Sequence, residues 1–427
     1  MNFIIKTIVI IICLIGQMYQ LYSQYVFEEE IYDKNIHTVT LHLEEDPLSQ
    51  PIIRLGSSDK ILLSFDDFSE NLEDYYYTII HCNSDWKESD LITSEYIYGF
   101  YENRIDNYQF SFNTFKDYVH YELLFPQELM KPLLSGNYIL KIFKKENNSN
   151  TVTFYKRFKV IDEKISISAI VKRSNIINER KYKQEIDFEI NHANFLISNP
   201  YTDVTVVIQQ NNREDNKITD LKPIFIDQDK IRYDLEEINT FEGGNEYRNF
   251  DTRSLRFYSE RIKKIDYNDT IEEINVILKT DIGKSFEEYI TKPDLNGEFL
   301  INKQEAWNSS IEADYINVYF SLKESRIIDS LEIYIVGKFT NGKILEKFKL
   351  KFNPKNRNYE CNSLLKQGYY NYTYVTKNKK NNKTSTKIID GNFFQTKNDY
   401  YIYVYFNEIG KDYQQLIGFI KTSSELF

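Results

Sequence analysis

The chain has 427 residues and a formal net charge of −11 at pH 7, because 64 aspartate and glutamate residues outweigh 53 lysine and arginine residues. This acidic balance argues against nonspecific binding to nucleic acid, whose phosphates attract basic surfaces. The length exceeds that of a usual single core and predicts about three domains. With 35 tyrosines and 29 phenylalanines against 14 glycines and 8 prolines, the composition favours strands over helices.

Residues 1–23 have the layout of a secretory signal peptide. Lys6 precedes an apolar run from Ile8 to Ile15, and a polar exit follows at Tyr22-Ser23-Gln24. We expect cleavage before Gln24, and we interpret Cys13 as part of the apolar run rather than as a lipidation site. No later segment holds the ~20 uninterrupted apolar residues that a membrane helix needs. The sequence therefore predicts an exported protein without direct membrane insertion.

Short alternating runs predict seven strands between residues 24 and 162. They are Val39–Leu43, Lys60–Phe65, Tyr75–Cys82, Asn107–Phe112, Tyr118–Phe125, Gly136–Phe143 and Thr153–Val160. Seven strands of this kind are typical of an immunoglobulin-like sandwich, so we place an N-terminal β-sandwich domain at residues 24–162. We also predict one helical turn at Pro126–Met130.

Two further β-rich domains are predicted, at residues 163–308 and 309–427. In the middle domain the predicted strands are less regular: Ile165–Val171, Glu185–Ile190, Asp203–Gln209, Ile231–Leu235, Leu255–Tyr258 and Ile274–Leu278. In the last domain alternation returns at Asp314–Leu322, Leu331–Val336, Leu345–Phe352, Tyr369–Thr376, Asn392–Thr396 and Tyr400–Phe406. Because no sustained helical period occurs, the sequence predicts an all-β chain of tandem immunoglobulin-like β-sandwiches.

The stretch Tyr75–Trp86 carries a family resemblance. It reads Tyr-Tyr-Tyr-x-Ile-Ile-His-Cys-x-x-Asp-Trp, continues with Ser94-Glu95-Tyr96 and Gly99-Phe100, and resembles the N-terminal signature of the type IX secretion system plug proteins of Bacteroidetes. Further pieces resemble the family in the same order: Pro51–Gly56, Leu63–Asp67, Ser111–Thr114, Ser135–Tyr138, Val171–Ser174, Gln210–Arg213, Gly243–Tyr247, Asn249–Asp251, Asp294–Gly297 and Lys366–Tyr372. Together they span nearly the whole chain after the predicted signal peptide.

The resemblance implies a non-enzymatic periplasmic plug. Such a protein would dock on the periplasmic side of the outer-membrane translocon barrel of the type IX secretion system and seal its channel. It would then be peripherally associated with the outer membrane through the translocon. The alternative hypothesis is a periplasmic carbohydrate- or substrate-binding β-sandwich protein of another pathway, and a hydrolase is a third.

The last domain is also similar to the early-set modules of glycogen-handling proteins. The similarity rests on Tyr334–Phe339 together with Leu365–Tyr374. Carbohydrate binding in such modules usually depends on exposed aromatic platforms, but the turn Phe339–Lys343 lacks tryptophan and the nearby Trp307 precedes the module. We interpret this domain as an early-set-like scaffold.

The sequence gives no strong signal for a metal, a cofactor or a catalytic centre. The five histidines are not placed at ligand spacing from one another or from a cysteine. Asp66-Asp67 and Glu73-Asp74 could serve as paired carboxylates, but charged loop ends give the same pattern. No nucleophile elbow, phosphate loop or zinc-protease motif occurs. We therefore predict no catalytic, metal-binding or cofactor-binding residues, and no disulfide between Cys82 and Cys361.

The best candidate for partner docking is the loop region from Phe241 to Tyr258. Gly243 and Gly244 favour a projecting turn, and the residues we predict to contact the translocon are Arg248, Phe250, Arg253 and Phe257. Arginine and aromatic side chains are enriched at interface hot spots, whereas pairing of these arginines with local acids such as Glu246 and Asp251 is the structural alternative.

Overall fold

The computed structural model describes residues 26–146, 149–268, 270, 272–323 and 330–424. Within these ranges strands dominate. The α-helices are single turns at Thr93–Tyr96, Pro200–Asp203, Ser309–Glu312 and Lys387–Asp390, and 3-10 turns lie at Lys338–Thr340 and Glu346–Phe348. The all-β prediction is confirmed, whereas the immunoglobulin-like and early-set assignments stay predictions. The predicted signal peptide lies outside the described residues.

The first part of the chain folds into two packed sheets. Its strands are β1 (Ile36–Leu43), β2 (Ile52–Arg54), β3 (Ile61–Asp67), β4 (Tyr75–Cys82), β5 (Ile97–Gly99), β6 (Asn103–Arg104), β7 (Asn107–Phe110), β8 (Val119–Phe125), β9 (Met130–Pro132), β10 (Gly136–Glu146) and β11 (Ser149–Ile161). The two sheets have the orders β1-β3-β8-β7 and β2-β11-β10-β4-β6 and share one core, while β5 and β9 pair with each other outside both sheets. Each of the seven predicted strands is present. The predicted helical turn at Pro126–Met130 is wrong, because Met130 already pairs with Gly99 in a strand.

Strand β4 is fully buried on one face and mostly half-buried on the other. Tyr75 and Tyr77 are fully buried, and the Tyr75 ring lies edge-on to Phe65 with ring centroids 5.1 Å apart. At the end of the strand, His81 Nδ1 lies 2.9 Å from Ser89 Oγ, and a Cβ atom at Gly136 would come within 2.4 Å of its Nε2. Burial lowers the pKa of His81 to about 4. The two motifs around His81 and Gly136 therefore meet in one packed joint.

Trp86 is part of the core rather than of an exposed loop. Its side chain is 3% exposed, and its backbone has a φ of 66°. The Arg157 guanidinium lies 4.5 Å from the centre of its ring, and the Lys159 ammonium lies 4.9 Å from it. Trp86 thus ties the turn after β4 to the strand β11.

The middle of the chain contributes shorter strands. They are β12 (Ser166–Arg173), β13 (Lys183–Asn191), β14 (Val204–Gln210), β15 (Phe225–Ile226), β16 (Lys230–Tyr233), β17 (Thr240–Glu242), β18 (Arg248–Asp251), β19 (Ile262–Asn268), β20 (Glu273–Leu278), β21 (Asp281–Ile282) and β22 (Phe299–Ile301). The predicted strand Leu255–Tyr258 is wrong, because this segment is a series of bends with Phe257 and Tyr258 exposed.

The last part of the chain is again strand-rich. Its strands are β23 (Tyr315–Lys323), β24 (Leu331–Val336), β25 (Lys349–Asn353), β26 (Asn358–Lys366), β27 (Gly368–Asn378), β28 (Thr384–Ser385), β29 (Asp399–Asn407) and β30 (Gln414–Ser423). The predicted strand Asn392–Thr396 is wrong. Instead this segment is a loop whose backbone bonds to another loop, with the Phe393 N–H donating to Gly244 O over 2.8 Å.

Sheet pairing connects the middle and last parts of the chain in two places. Strand β14 pairs with β29, which continues to β30, and this sheet shares a core with the sheet β12-β13-β16-β15. Strand β18 pairs with β27 at the start of a long sheet with the order β18-β27-β24-β25-β26-β23-β20-β19. The domain boundaries near residues 162 and 308 stay predictions, and a division at 308 has to accommodate both pairings.

Candidate protein-docking surface

Arg248, the first of the predicted docking residues, is buried in an ion-pair cluster. Its NH1 donates to Asp281 over 2.9 Å, and its NH2 donates to Asp390 over 2.6 Å. The guanidinium lies 5.2 Å from the centre of the Tyr374 ring. Although burial opposes ionisation, the charge of Arg248 lowers the pKa of Asp390. Arg248 joins three segments of the fold and offers no free surface to a partner.

Phe250 is also part of the core. Its ring is fully buried and stacks on Tyr370, with ring centroids 5.0 Å apart and an angle of 8° between the planes. It also lies edge-on to Phe320 at 5.5 Å. A partner could reach Phe250 only if β18 left the sheet, so the interpretation of Phe250 as a contact residue is corrected to a packing role.

Arg253 and Phe257 lie nearer the surface. Arg253 binds Asp251 through two hydrogen bonds, Nε to Oδ1 at 3.0 Å and NH2 to Oδ2 at 2.7 Å, which matches the structural alternative of local ion pairing. Phe257 is 72% exposed. Of the four predicted residues, Phe257 has the accessibility that docking requires, and Arg253 is half-buried beside it in sequence.

The glycine turn in this region does not project. The Gly243 N–H donates to Tyr182 O over 2.7 Å, and a Cβ atom at Gly243 would lie 2.0 Å from Phe393 O. Its carbonyl accepts a hydrogen bond of 2.8 Å from Asn398. Glycine is needed here because two loops approach closely. The prediction of a projecting turn is therefore wrong, since this turn packs against the loop around Phe393.

Phe257 belongs to a larger set of exposed aromatic side chains on three neighbouring segments. We call this set the aromatic band; each member is more than half exposed, and its members are Phe110, Phe112, Phe257, Tyr258, Tyr267 and Trp307. Trp307 is fully exposed. The local sequence around Trp307 has no pattern that marks this side chain as exposed.

Hydrogen bonds hold the three segments of the aromatic band together. The Phe112 N–H donates to Ile311 O over 2.9 Å, and the Gln304 N–H donates to Arg253 O over 2.9 Å. The Tyr267 hydroxyl donates to Leu255 O over 3.1 Å. The exposed rings are therefore carried by connected backbone rather than by separate loops.

The strand β7 borders this surface. It lies at the end of the sheet β1-β3-β8-β7, and all four of its residues are exposed. An edge strand presents unpaired backbone N–H and C=O groups on its outer side. This part of the molecule thus offers both apolar rings and backbone hydrogen-bonding groups to a partner.

One set of side chains resembles catalytic machinery, but it is buried. Asp66 accepts hydrogen bonds from Lys366 Nζ and from the Tyr315 hydroxyl, both at 2.6 Å, and its other oxygen lies 2.6 Å from His120 Nδ1. Although burial opposes ionisation, Lys366 and His120 lower the pKa of Asp66. Because Asp66 and Lys366 are each 1% exposed, this set has no room for a substrate and acts as a joint between strands.

One carboxylate cluster among the described residues has oxygen atoms close enough to hold a cation. Glu185, Asp187 and Asp234 each place an oxygen within 4.8 Å of the others. Lys172 already occupies two of the three carboxylates, since its Nζ lies 3.3 Å from Glu185 and also contacts Asp187. The absence of a metal site stays a prediction. None of the described helices is long and apolar enough to cross a membrane.

Comparison with solved structures shows that this architecture is shared. The chain is 32% identical to the crystal structure of a hypothetical protein from Parabacteroides merdae, with a TM-score of 0.89, and the similarity covers 94% of this chain and 100% of that one. The Streptococcus pyogenes protein AspA (C-terminal domain; 6% identity, 92% and 99% coverage) and dimeric latent PorU from Porphyromonas gingivalis (10% identity, 91% and 34% coverage) give TM-scores of 0.17 and 0.15, too low to indicate a shared fold.

No curated protein matches the chain. The family model of the type 9 secretion system plug protein 1st domain matches residues 36–162. This range contains β1 to β11 with their shared core, including the Tyr75–Trp86 motif that carried the resemblance. Residues 36–162 of this chain therefore belong to the plug protein family of the type IX secretion system, as its first domain.

Proposed function

We propose that the protein is a non-enzymatic periplasmic plug that docks on the periplasmic side of the type IX secretion translocon barrel and seals its channel. In this proposal it is peripherally associated with the outer membrane through the translocon. Family membership supports a role in type IX secretion. The observation that carries the docking proposal is the aromatic band with its adjoining edge strand.

Exposed aromatic rings favour protein contact for a physical reason. Tyrosine, tryptophan and phenylalanine bury large areas at small cost in side-chain entropy and are enriched in interface cores. Soluble monomers rarely expose contiguous apolar patches beyond a few hundred Å² without a function. A stable specific interface buries more than about 1,000 Å² in total, and six rings on three connected segments are a suitable centre for it.

A strand edge adds a second mode of contact. The outer side of β7 could pair with an extended segment of the barrel protein, so that main-chain hydrogen bonds add to the apolar contacts. Sealing needs a broad, rigid surface rather than a pocket. The hydrogen bonds that connect the band to Arg253, just after β18, and to Ile311 in the helix Ser309–Glu312 give it that support.

The proposal is tested by capture of the translocon from detergent-solubilised envelopes. The band variant replaces Phe110, Phe257 and Trp307 by Ser. The matched control replaces Ile177, Leu196 and Ile409 by Ser, and these side chains are similarly exposed but lie outside the band. We expect the band variant to lose translocon capture and to make the outer membrane more permeable to large antibiotics. Both variants should keep the wild-type urea midpoint.

Two results would contradict the proposal. Unchanged capture by the band variant would show that the docking surface lies elsewhere on the molecule. An equal loss of capture in the control variant would show that capture depends only on general surface apolarity. The alternative function, carbohydrate binding, is favoured by the full exposure of Trp307, since a flat exposed ring can stack on a sugar. Glycan-array binding that disappears in Trp307→Ala, with capture unchanged, would support that alternative.

A further inference from the structure

A large cavity lies where the three parts of the chain meet. Its volume is about 1270 Å³, and it is lined by β1, by β11 and by loops at residues 210–217, 240–247, 296–299, 336–344 and 383–387. Small-molecule sites typically occupy about 300–1,000 Å³. No residue of the aromatic band lines this cavity. It is therefore separate from the proposed docking surface and large enough for more than a small molecule.

The charge of the cavity is opposite to that of the chain. Nine lysine and arginine side chains and six carboxylates line it, whereas acidic residues outnumber basic ones in the whole sequence. Several of these charges are paired within the wall: Lys156 with Glu29 at 3.1 Å and Arg157 with Glu214 at 3.2 Å. The excess positive charge is carried by the lining lysines that have no salt bridge among the described residues, which are Lys159, Lys338 and the exposed Lys383.

Lys159 is the first of these lysines. Its Nζ lies 4.3 Å from the centre of the Tyr403 ring and 4.9 Å from that of Trp86, and no carboxylate among the described residues lies within salt-bridge distance. Burial, together with the charges of Arg157 and Lys338, lowers the pKa of Lys159 to about 8. An ammonium group held between two rings and without a counter-ion is costly for the folded protein unless it has a use.

Lys338 is the second. It stands on a loop fixed by the donation of its backbone N–H to Gly297 O over 2.8 Å, and no described carboxylate forms a salt bridge with its side chain. Its charge helps to lower the pKa of Lys156 and, against the effect of burial, that of Glu29 to about 2. The Lys338 ammonium is therefore close enough to act electrostatically on Lys156 and Lys159.

The type of anion follows from what surrounds these two ammonium groups. Bidentate recognition of a phosphate group uses a free guanidinium fork, but Arg157 and Arg213 are engaged by Glu214 and Asp215. The cavity wall also contains half-buried apolar residues, such as Leu41, Ile52 and Ile344. A wall that combines unpaired ammonium groups with apolar residues suits a ligand that carries both carboxylates and apolar groups.

We propose that the cavity binds an extended acidic peptide segment of a partner protein, with carboxylates placed on Lys159 and Lys338 and apolar side chains placed against half-buried lining residues such as Ile52 and Ile344. The binding neutralises the Lys159 and Lys338 ammonium groups. Glu298 lines the same cavity and accepts a hydrogen bond of 3.5 Å from Gln50. Because a carboxylate in the wall repels the carboxylates of a peptide, Glu298 limits the number of carboxylates that the peptide can carry. This site is independent of the docking of the aromatic band.

Fluorescence of Trp86 provides the test. The chain holds two tryptophans, so Trp307→Phe leaves Trp86 as the sole reporter, inside the cavity. The probe is a synthetic pool of randomised decapeptides with Asp or Glu at every second position, and the matched pool carries Asn or Gln there. We expect saturable quenching by the acidic pool and at least tenfold weaker binding of the neutral pool, because a hydrogen bond to a charged group contributes roughly that factor or more.

Substitution of the lysines completes the experiment. Lys159→Met and Lys338→Met should each weaken binding of the acidic pool about tenfold or more, whereas Lys263→Met, an exposed lysine outside the cavity, should not. If Lys159→Met does not fold, the binding of the acidic pool by Lys338→Met, whose substitution lies on a surface loop, is the measurement that decides between the outcomes. Equal binding of both pools, or unchanged binding by the folded lysine variants, would overturn the proposal. So would tighter binding of inorganic tripolyphosphate than of the acidic pool, since this would indicate a phosphate site.

Discussion

Lys366 and Asp66 form a buried ion pair with 2.6 Å between Nζ and Oδ2, although 300 positions separate them in the chain. The pair joins the end of β26 to β3, and Tyr315 and His120 complete the set of partners of Asp66. Such a pair fixes the first sheet pair against the long sheet of the last part. Its loss would leave a carboxylate or an ammonium group unpaired in the interior.

We expect Lys366→Met to lower the free energy of unfolding by about 3–5 kcal/mol, because it leaves the Asp66 carboxylate buried with two remaining partners. The measurement is the midpoint of urea unfolding. The double variant Asp66→Asn with Lys366→Met should lose less than the sum of the two single variants, since neither charge is then left alone. Additive losses in this cycle would show that the two side chains do not interact.

The two tryptophans are expected to separate stability from docking. Trp86→Ala removes a ring that is 3% exposed and packed against Arg157 and Lys159, so it should cost about 3–5 kcal/mol of stability. Trp307→Ala removes a fully exposed ring and should leave the urea midpoint unchanged while weakening translocon capture. A stable Trp86→Ala protein, or a destabilised Trp307→Ala protein, would contradict this assignment.

The sequence predicted the strands where alternation was strong and failed where burial depends on distant residues. Tyr75–Cys82 was predicted with its observed bounds because both faces are aromatic or aliphatic. The strand β26 was missed because Cys361, Asn362 and Ser363 interrupt its apolar alternation, and its burial comes from pairing with β23 and β25. Strand pairing thus supplied what the local pattern lacked.

The candidate site shows the same limit. Arg248 looked like a contact residue because its partners Asp281 and Asp390 lie 33 and 142 positions away. A signal was present, since Arg248 and Phe250 are two apart in a strand and therefore share a face. If Phe250 is in the core, Arg248 must be buried as well. The exposure of Trp307 had no comparable local signal.

Asp294 should make stability depend on pH. Burial, with the nearby Glu246 carboxylate as a further cause, raises the pKa of Asp294 to about 7. The folded protein then binds a proton that the unfolded chain, with an ordinary aspartate pKa near 4, has released. Stability from this group is therefore full below about pH 4 and is lost as the pH rises to about 7.

Urea midpoints at pH 5 and pH 8 check this expectation. The wild type should lose more stability between the two values than Asp294→Asn, which cannot ionise and retains an oxygen to accept the Asn296 N–H. The control Asp117→Asn changes an exposed carboxylate and should follow the wild type. A pH dependence that is equal in all three proteins would rule out Asp294 as its source.

The last prediction concerns Arg248, for which a packing role and a docking role predict opposite effects of substitution on stability. Arg248→Met removes the only guanidinium that, within the described residues, bridges Asp281 and Asp390, which are 5% and 3% exposed. Arg261 still reaches Asp281, but Asp390 keeps only Thr373 and the Tyr374 N–H as hydrogen-bond donors. We expect a loss of about 3–5 kcal/mol in the free energy of unfolding. Arg253→Met, which breaks one half-exposed pair with Asp251, should lower the free energy of unfolding by about 1 kcal/mol or less. If Arg253→Met instead had the lower urea midpoint of the two variants, the buried role of Arg248 would be contradicted and the surface role that its sequence suggests would be supported.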